Sequence, residues 1–177
     1  MKITSVECHM VTIPYKNPYR MAPGETKHKK QIIIVMGTDE GISGIGECYL
    51  DTFGPKAVTA MIEDTFYRYV EGMDPFHLES MWRKVYGSGY SLRPDISLMG
   101  VLSGIEIALW DIKGKMANMP VYDLLGGRAR EAAAVYAHAS AATPEEVEDQ
   151  ARAYMEEGYH HIRVQVTTPD RKSTRLN

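Results

Sequence analysis

The stretch AAAVYAHASAATPEEVEDQARAYMEEGYHHIRVQV, residues 132–166, decides the architecture. AAAVYAHAS reads as a strand. Thr143-Pro144-Glu145-Glu146 is a capping box with proline at the first helical position. The helix VEDQARAYMEE stops at Gly158, a residue suited to a helix C-terminus, and HHIRVQV is a second strand. Strand, helix and strand in so short a span form a βαβ unit, which builds parallel sheets or barrels. One such unit cannot bury both of its faces, so it is expected to begin something larger.

Side-chain parity sharpens this reading, because successive residues of a strand point to opposite faces. Ile162, Val164 and Val166 share one face of the second strand, opposite His161, Arg163 and Gln165. On the first strand Val135, Ala137 and Ala139 oppose Tyr136, His138 and Ser140. In a barrel the apolar set packs outward on helices and the polar set points to a ligand, bringing His138, Arg163 and Gln165 to one site. An edge strand with one wet face would show the same pattern.

Upstream, KITSVECHMVTI (2–13), QIIIVM (31–36) and ISGIGECY (42–49) alternate as strands, with GTDEG between the last two as a hairpin turn. Residues 15–30 read as a long polar loop, of the kind that covers active sites, and Arg20, Lys27 and His28 on it are candidate ligand contacts. Three helices follow. Val58, Met61, Ile62, Phe66, Tyr69 and Val70 mark the first; Asp74 and Pro75 cap FHLESMWRKVY; residues 97–117 carry the stripe Ile105, Leu109, Ile112 and Met116. The expected fold class is an α+β capping domain, antiparallel sheet then helices, over residues 1–127 with its linker. The βαβ start of a barrel follows at 128–169.

Composition narrows the function. With 177 residues, 44% apolar, 24% charged and a formal net charge of −3, the chain has no basic field for nucleic acid or anionic lipid. No apolar run reaches the length of a membrane span and the N-terminus lacks a signal-peptide pattern, so a cytoplasmic setting is expected. Cys8 and Cys48 sit in apolar strands without metal-ligand spacing and read as reduced, structural thiols. GISGIGE contains a G-x-x-G-x-G run, but it lies in a hairpin and opens no helix, so it is not read as a nucleotide loop.

IEIALWDIKGKMANMPVYDLLGGRAR, residues 105–130, resembles the segment joining cap to barrel in the mandelate racemase and muconate lactonizing enzyme group of the enolase superfamily. The GIGEC hairpin, the Asp-Pro helix and the βαβ unit come in that group's order, so the resemblance covers residues 1 to about 169. It implies a capping domain over a modified (β/α) barrel that abstracts a proton α to a carboxylate and uses Mg²⁺. Many members carry Lys-x-Lys at the end of the second barrel strand, where this chain has Arg163-Val164-Gln165. Arg-x-Gln after Tyr136-x-His138-Ala139 is similar to the mannonate dehydratase-like acid-sugar dehydratases, whose base is a tyrosine assisted by that arginine. A guanidinium beside a phenol favours the phenolate, so the pairing is chemically sound.

The resemblance therefore implies Arg163 as the base-assisting catalytic residue and His138 as a substrate contact, with Asp51 at a position that faces substrate; Gln165, from strand parity, and Arg20 and His28, from the polar loop, complete the candidate substrate contacts. Asp51 stands where those dehydratases present an asparagine, a departure that leaves the identity of the sugar open. The capping loops, residues 15–30 and 49–55, would close over the substrate. The catalytic tyrosine and the metal-binding carboxylates belong to strands beyond this sequence, so no metal ligand is assigned here. A whole barrel takes about 250 residues, far more than follow Gly127. Resemblance stops after Pro169, and Asp170 to Asn177 are expected to be a foreign tail on a truncated gene. The expected function is the N-terminal part of a Mg²⁺-dependent sugar-acid dehydratase, inactive as a fragment and homo-oligomeric when intact. A racemase or epimerase of the same superfamily and a non-catalytic binding domain remain the alternatives.

Overall fold

The computed structural model describes residues 1–21, 24–49, 54–89, 95–141 and 143–166. They fall into two compact units, Met1–Gly127 and Arg128 onward.

The first unit opens with an antiparallel sheet of β1 (Ile3–Met21), β2 (Gly24–Thr38) and β3 (Ser43–Cys48), in the order β1-β2-β3. β-Branched residues make β2 the central strand. Ile32, Ile34 and Met36 on its inner face are fully buried. Four helices follow: α1 (Pro55–Tyr69), α2 (Leu78–Ser88), α3 (Ile96–Ala117) and the single turn α4 (Val121–Leu124). Phe66 of α1, Met81 of α2 and Leu102, Ile105 and Leu109 of α3 join the strand residues in one core. Each such side chain contributes about 1.5–3 kcal/mol by leaving water.

Four expectations need correction. Residues 15–30 do not form a loop between strands: β1 and β2 continue as a long hairpin, with Thr12 opposite Lys30, Pro14 opposite His28 and Arg20 opposite Glu25. Ladder bonds come from the backbone, so the ribbon runs on past Ile13, where apolar alternation ends. Its register shifts between Pro14 and Tyr19, a stretch holding Pro14 and Pro18, which have no N–H to give. Asp74 is not a helix cap. Its side chain accepts from the amide of Phe76 at 2.9 Å, closing a turn before α2, which starts at Leu78. Met116, placed on the buried stripe of α3, is 37% exposed, whereas Val101, Leu102 and Ala108 are buried. The first strand of the βαβ unit starts at Ala137 rather than in the alanine run, and Val135 is exposed.

α3 is held by its ends and by its glycine contacts. Asp95 Oδ1 accepts from the amides of Ser97 (2.9 Å) and Leu98 (3.2 Å), capping the N-terminus. Asn118 takes the left-handed conformation, φ 50°, at the C-cap. Between them the helix lies directly on β3. A Cβ on Gly44 would overlap the carbonyl oxygen of Ala108, and one on Gly46 that of Gly104. The glycine run of GISGIGE is thus a packing surface. Polar side chains of α3 also close the outer edge of β3: Asp111 Oδ2 accepts from the amide of Ile45 and from Lys115 Nζ, and Lys115 Nζ donates to Ser43 O, each at 2.8 Å. Glu106 joins α3 to α2, accepting from Trp82 Nε1 at 2.6 Å and from Trp110 Nε1 at 3.3 Å.

Cys8 and Cys48 are both free, the latter buried. Burial pushes each thiol up from 9.0 to about 11, with Glu63 adding to the effect at Cys8, and Cys8 at Cys48. The folded state therefore holds protons that the unfolded chain releases. This contribution to stability is complete below about pH 8.5–9 and is lost as pH rises toward about 11. Urea midpoints are expected to fall across that window, and replacing both cysteines with alanine is expected to flatten the fall.

The second unit consists of β4 (Ala137–Ala141), α5 (Pro144–Glu156) and β5 (Ile162–Val166), with β4 and β5 parallel. The capping box forms as the sequence indicates, and Gly158 takes φ 97° just past the C-cap. Ala137 and Ala139 are buried with Val147 of α5, while Val164 stays 53% exposed. The residues assigned to a tail lie outside the described residues. Among the described residues, no helix is long and apolar enough to cross a membrane.

Candidate functional site

The β4–β5 pair presents the site. A parallel ladder sets in-register residues side by side on one face, roughly 4.8 Å apart across the strands. His138 stands opposite Arg163, and Ser140 opposite Gln165. The His138 and Arg163 side chains are exposed, and no hydrogen bond or ion pair holds either one among the described residues. The ring of Tyr136 stacks on that of His138, with centroids 5.0 Å apart and planes 29° from parallel. The amide of Ser140 donates to Gln150 Oε1 of α5 at 3.0 Å, and the amide of Ala137 to His161 O at 3.1 Å. These bonds fix the strand ends, and with them the spacing of the polar face.

Of the seven residues singled out from the sequence, three come together here in backbone placement: His138, Arg163 and Gln165. Arg20, Lys27 and His28 belong to the long hairpin of the first unit, where Lys27 and His28 are exposed. Asp51 lies outside the described residues. Tyr136 has no assigned part in the sequence reading, although its spacing of two from His138 is the available signal. Chemically, an imidazole and a guanidinium side by side suit the oxygens of an anionic, hydroxylated ligand. The face does not suit a divalent cation. Among the described residues, no group of three or more His, Cys, Asp or Glu side chains could hold a metal.

Residues 3–126 match the N-terminal domain of mandelate racemase / muconate lactonizing enzyme. The chain belongs to this family. Within the enolase superfamily, its relatives include the D-galactonate dehydratase family member RspA of Pantoea ananatis, 43% identical over 136 residues. That match takes in 76% of this chain and 32% of the relative. A D-galactonate dehydratase family member from a Streptomyces species is 36% identical over 169 residues, 96% of this chain and 35% of its own length. The chain thus spans about a third of the length of the curated relatives it matches.

Solved structures of the family agree in fold. The mandelate racemase/muconate lactonizing enzyme of a Sulfitobacter species superposes with a TM-score of 0.76 at 38% identity, covering 92% of this chain and 41% of that one. An enolase-superfamily member from a Polaromonas species gives 0.79 at 32% identity, with 94% and 44% covered. The three-stranded sheet and its helices are the family's capping domain, and the parallel β4–β5 pair is consistent with the start of its barrel.

Proposed function

We propose that this chain supplies the cap and the first two barrel strands of a Mg²⁺-dependent sugar-acid dehydratase. The observation that carries the reading is the in-register pair of His138 and Arg163 on one exposed face of a parallel ladder. Relatives named for the D-galactonate dehydratase family support the substrate class. Arg163, set beside a tyrosine from outside this chain, favours its phenolate and so prepares the base that takes the proton α to the carboxylate. His138 donates to a substrate oxygen, and Tyr136 holds the imidazole ring flat. Loss of the β-hydroxyl as water then gives a 2-keto-3-deoxy acid. The described residues do not compose a Mg²⁺ site, so the metal belongs to carboxylates outside them.

The test extends the reading frame through a complete barrel and offers the product a panel of aldonic acids with Mg²⁺. Keto acid detected by semicarbazide, and abolished by EDTA, is the expected outcome. Solvent deuterium entering the α-carbon with epimerisation and no water loss would assign a racemase instead. A folded, metal-loaded protein that turns over no sugar acid would overturn the proposal.

A further inference from the structure

Polar residues recur at every second position along β4 and the residue before it. Tyr136, His138 and Ser140 share one side, while Ala137 and Ala139 on the other are buried with Val147 of α5. Tyr136 and His138 have parts in the proposed reaction. Ser140 has none, although the structure prepares it for one in three respects.

Its side chain is exposed, and no hydrogen bond engages its hydroxyl among the described residues. Its backbone, by contrast, is held from two sides: the ladder sets it opposite Gln165, and its amide donates to Gln150 Oε1 of α5 at 3.0 Å. A free hydroxyl on a fixed backbone is a contact whose place is set before any ligand arrives. Third, Ser140 stands one two-residue step beyond His138, roughly 6.6 Å nearer the C-terminal end of the strand. β4 and β5 are parallel, so their C-terminal ends lie together, and that is the end at which barrels and open parallel sheets take their ligands. A molecule that reaches His138 from there passes Ser140 first.

We infer that Ser140 is a specificity-determining residue of this site, its hydroxyl pairing with one hydroxyl on the carbon chain of the sugar acid. The inference rests on the dehydratase reading above. A serine hydroxyl donates once and accepts twice, the same complement as an alcohol on the substrate, and it carries no charge to favour the carboxylate. Pairing of this kind selects among sugar acids, because a substrate without that hydroxyl, or with it turned away, leaves a polar group unmatched.

The test uses the protein with its complete barrel, the aldonic acid it dehydrates best, and analogues of that acid deoxygenated in turn at each carbon beyond the reacting pair. Ser140→Ala is expected to lower kcat/KM on the unmodified acid about fivefold to tenfold. The same substitution is expected to have no effect on one analogue, the one that lacks the contacted hydroxyl. Ser140→Thr, which keeps the hydroxyl, is expected to retain the preference, and Ser140→Val to lose it as alanine does. A merely structural part for Ser140 would lower turnover of every analogue alike. That uniform loss, or no loss at all, overturns the inference while the parent's activity leaves the dehydratase reading standing. A parent that dehydrates no sugar acid overturns the dehydratase reading itself, and this inference with it.

Discussion

Gly46→Val is expected to cost the first unit about 3 kcal/mol or more, the upper end of what overpacking does. The added carbon would overlap the carbonyl oxygen of Gly104, and further clashes wait at the amide of Ala108. These are backbone atoms in the middle of a helix, so no side chain can rotate away. Relief requires lifting α3 off β3, which would also break the bonds of Asp111 and Lys115 to the strand edge. Gly87→Ala is the control, since a Cβ there meets nothing within 4 Å and sits in the last turn of α2. It is expected to leave stability unchanged or to raise it by a few tenths of a kcal/mol. Urea midpoints of the two variants, read against the parent, check both statements.

Arg163→Lys, made in a protein with the complete barrel, is expected to lower kcat about a hundredfold. Lysine keeps the charge but loses the planar, rigidly placed N–H donors, so it cannot lie flat against a phenol and direct a fixed N–H at its single oxygen. The sign of the accompanying pH effect follows from the proposed role. Arg163 depresses the phenol's pKa, so weakening it raises that pKa, and the ascending limb of the pH–rate profile moves to higher pH. A drop in kcat with an unmoved limb would make Arg163 a substrate ligand rather than the assistant of the base.

The fold was legible wherever hydrophobic periodicity and capping chemistry spoke together. Thr143, Pro144 and Glu146 located α5, and the parity of Ala137 and Ala139 against His138 anticipated which face would be buried. Placing His138 beside Arg163 needed that parity together with the expectation of a parallel pair. Other features rest on partners that are distant in sequence. The long hairpin was missed because its ladder is made by backbone groups, which polar residues supply as well as apolar ones. The closed edge of β3 depends on Asp111 and Lys115, more than sixty residues from Ile45 and Ser43. Met116 fell off the buried stripe of α3, whose burial ends with Ile112 and Gly114, a limit that spacing alone does not mark.

Glu106 gathers the chain's two tryptophans onto one carboxylate. Indole emission consequently reports a single place, the junction of α2 and α3, and is blind to β4, α5 and β5. The second unit carries its own chromophores, Tyr154 and Tyr159, whose rings meet edge to face at 5.7 Å. Tryptophan fluorescence therefore follows the melting of the first unit alone, whereas far-ultraviolet dichroism sums both units, and a gap between the two curves measures how far one stands without the other.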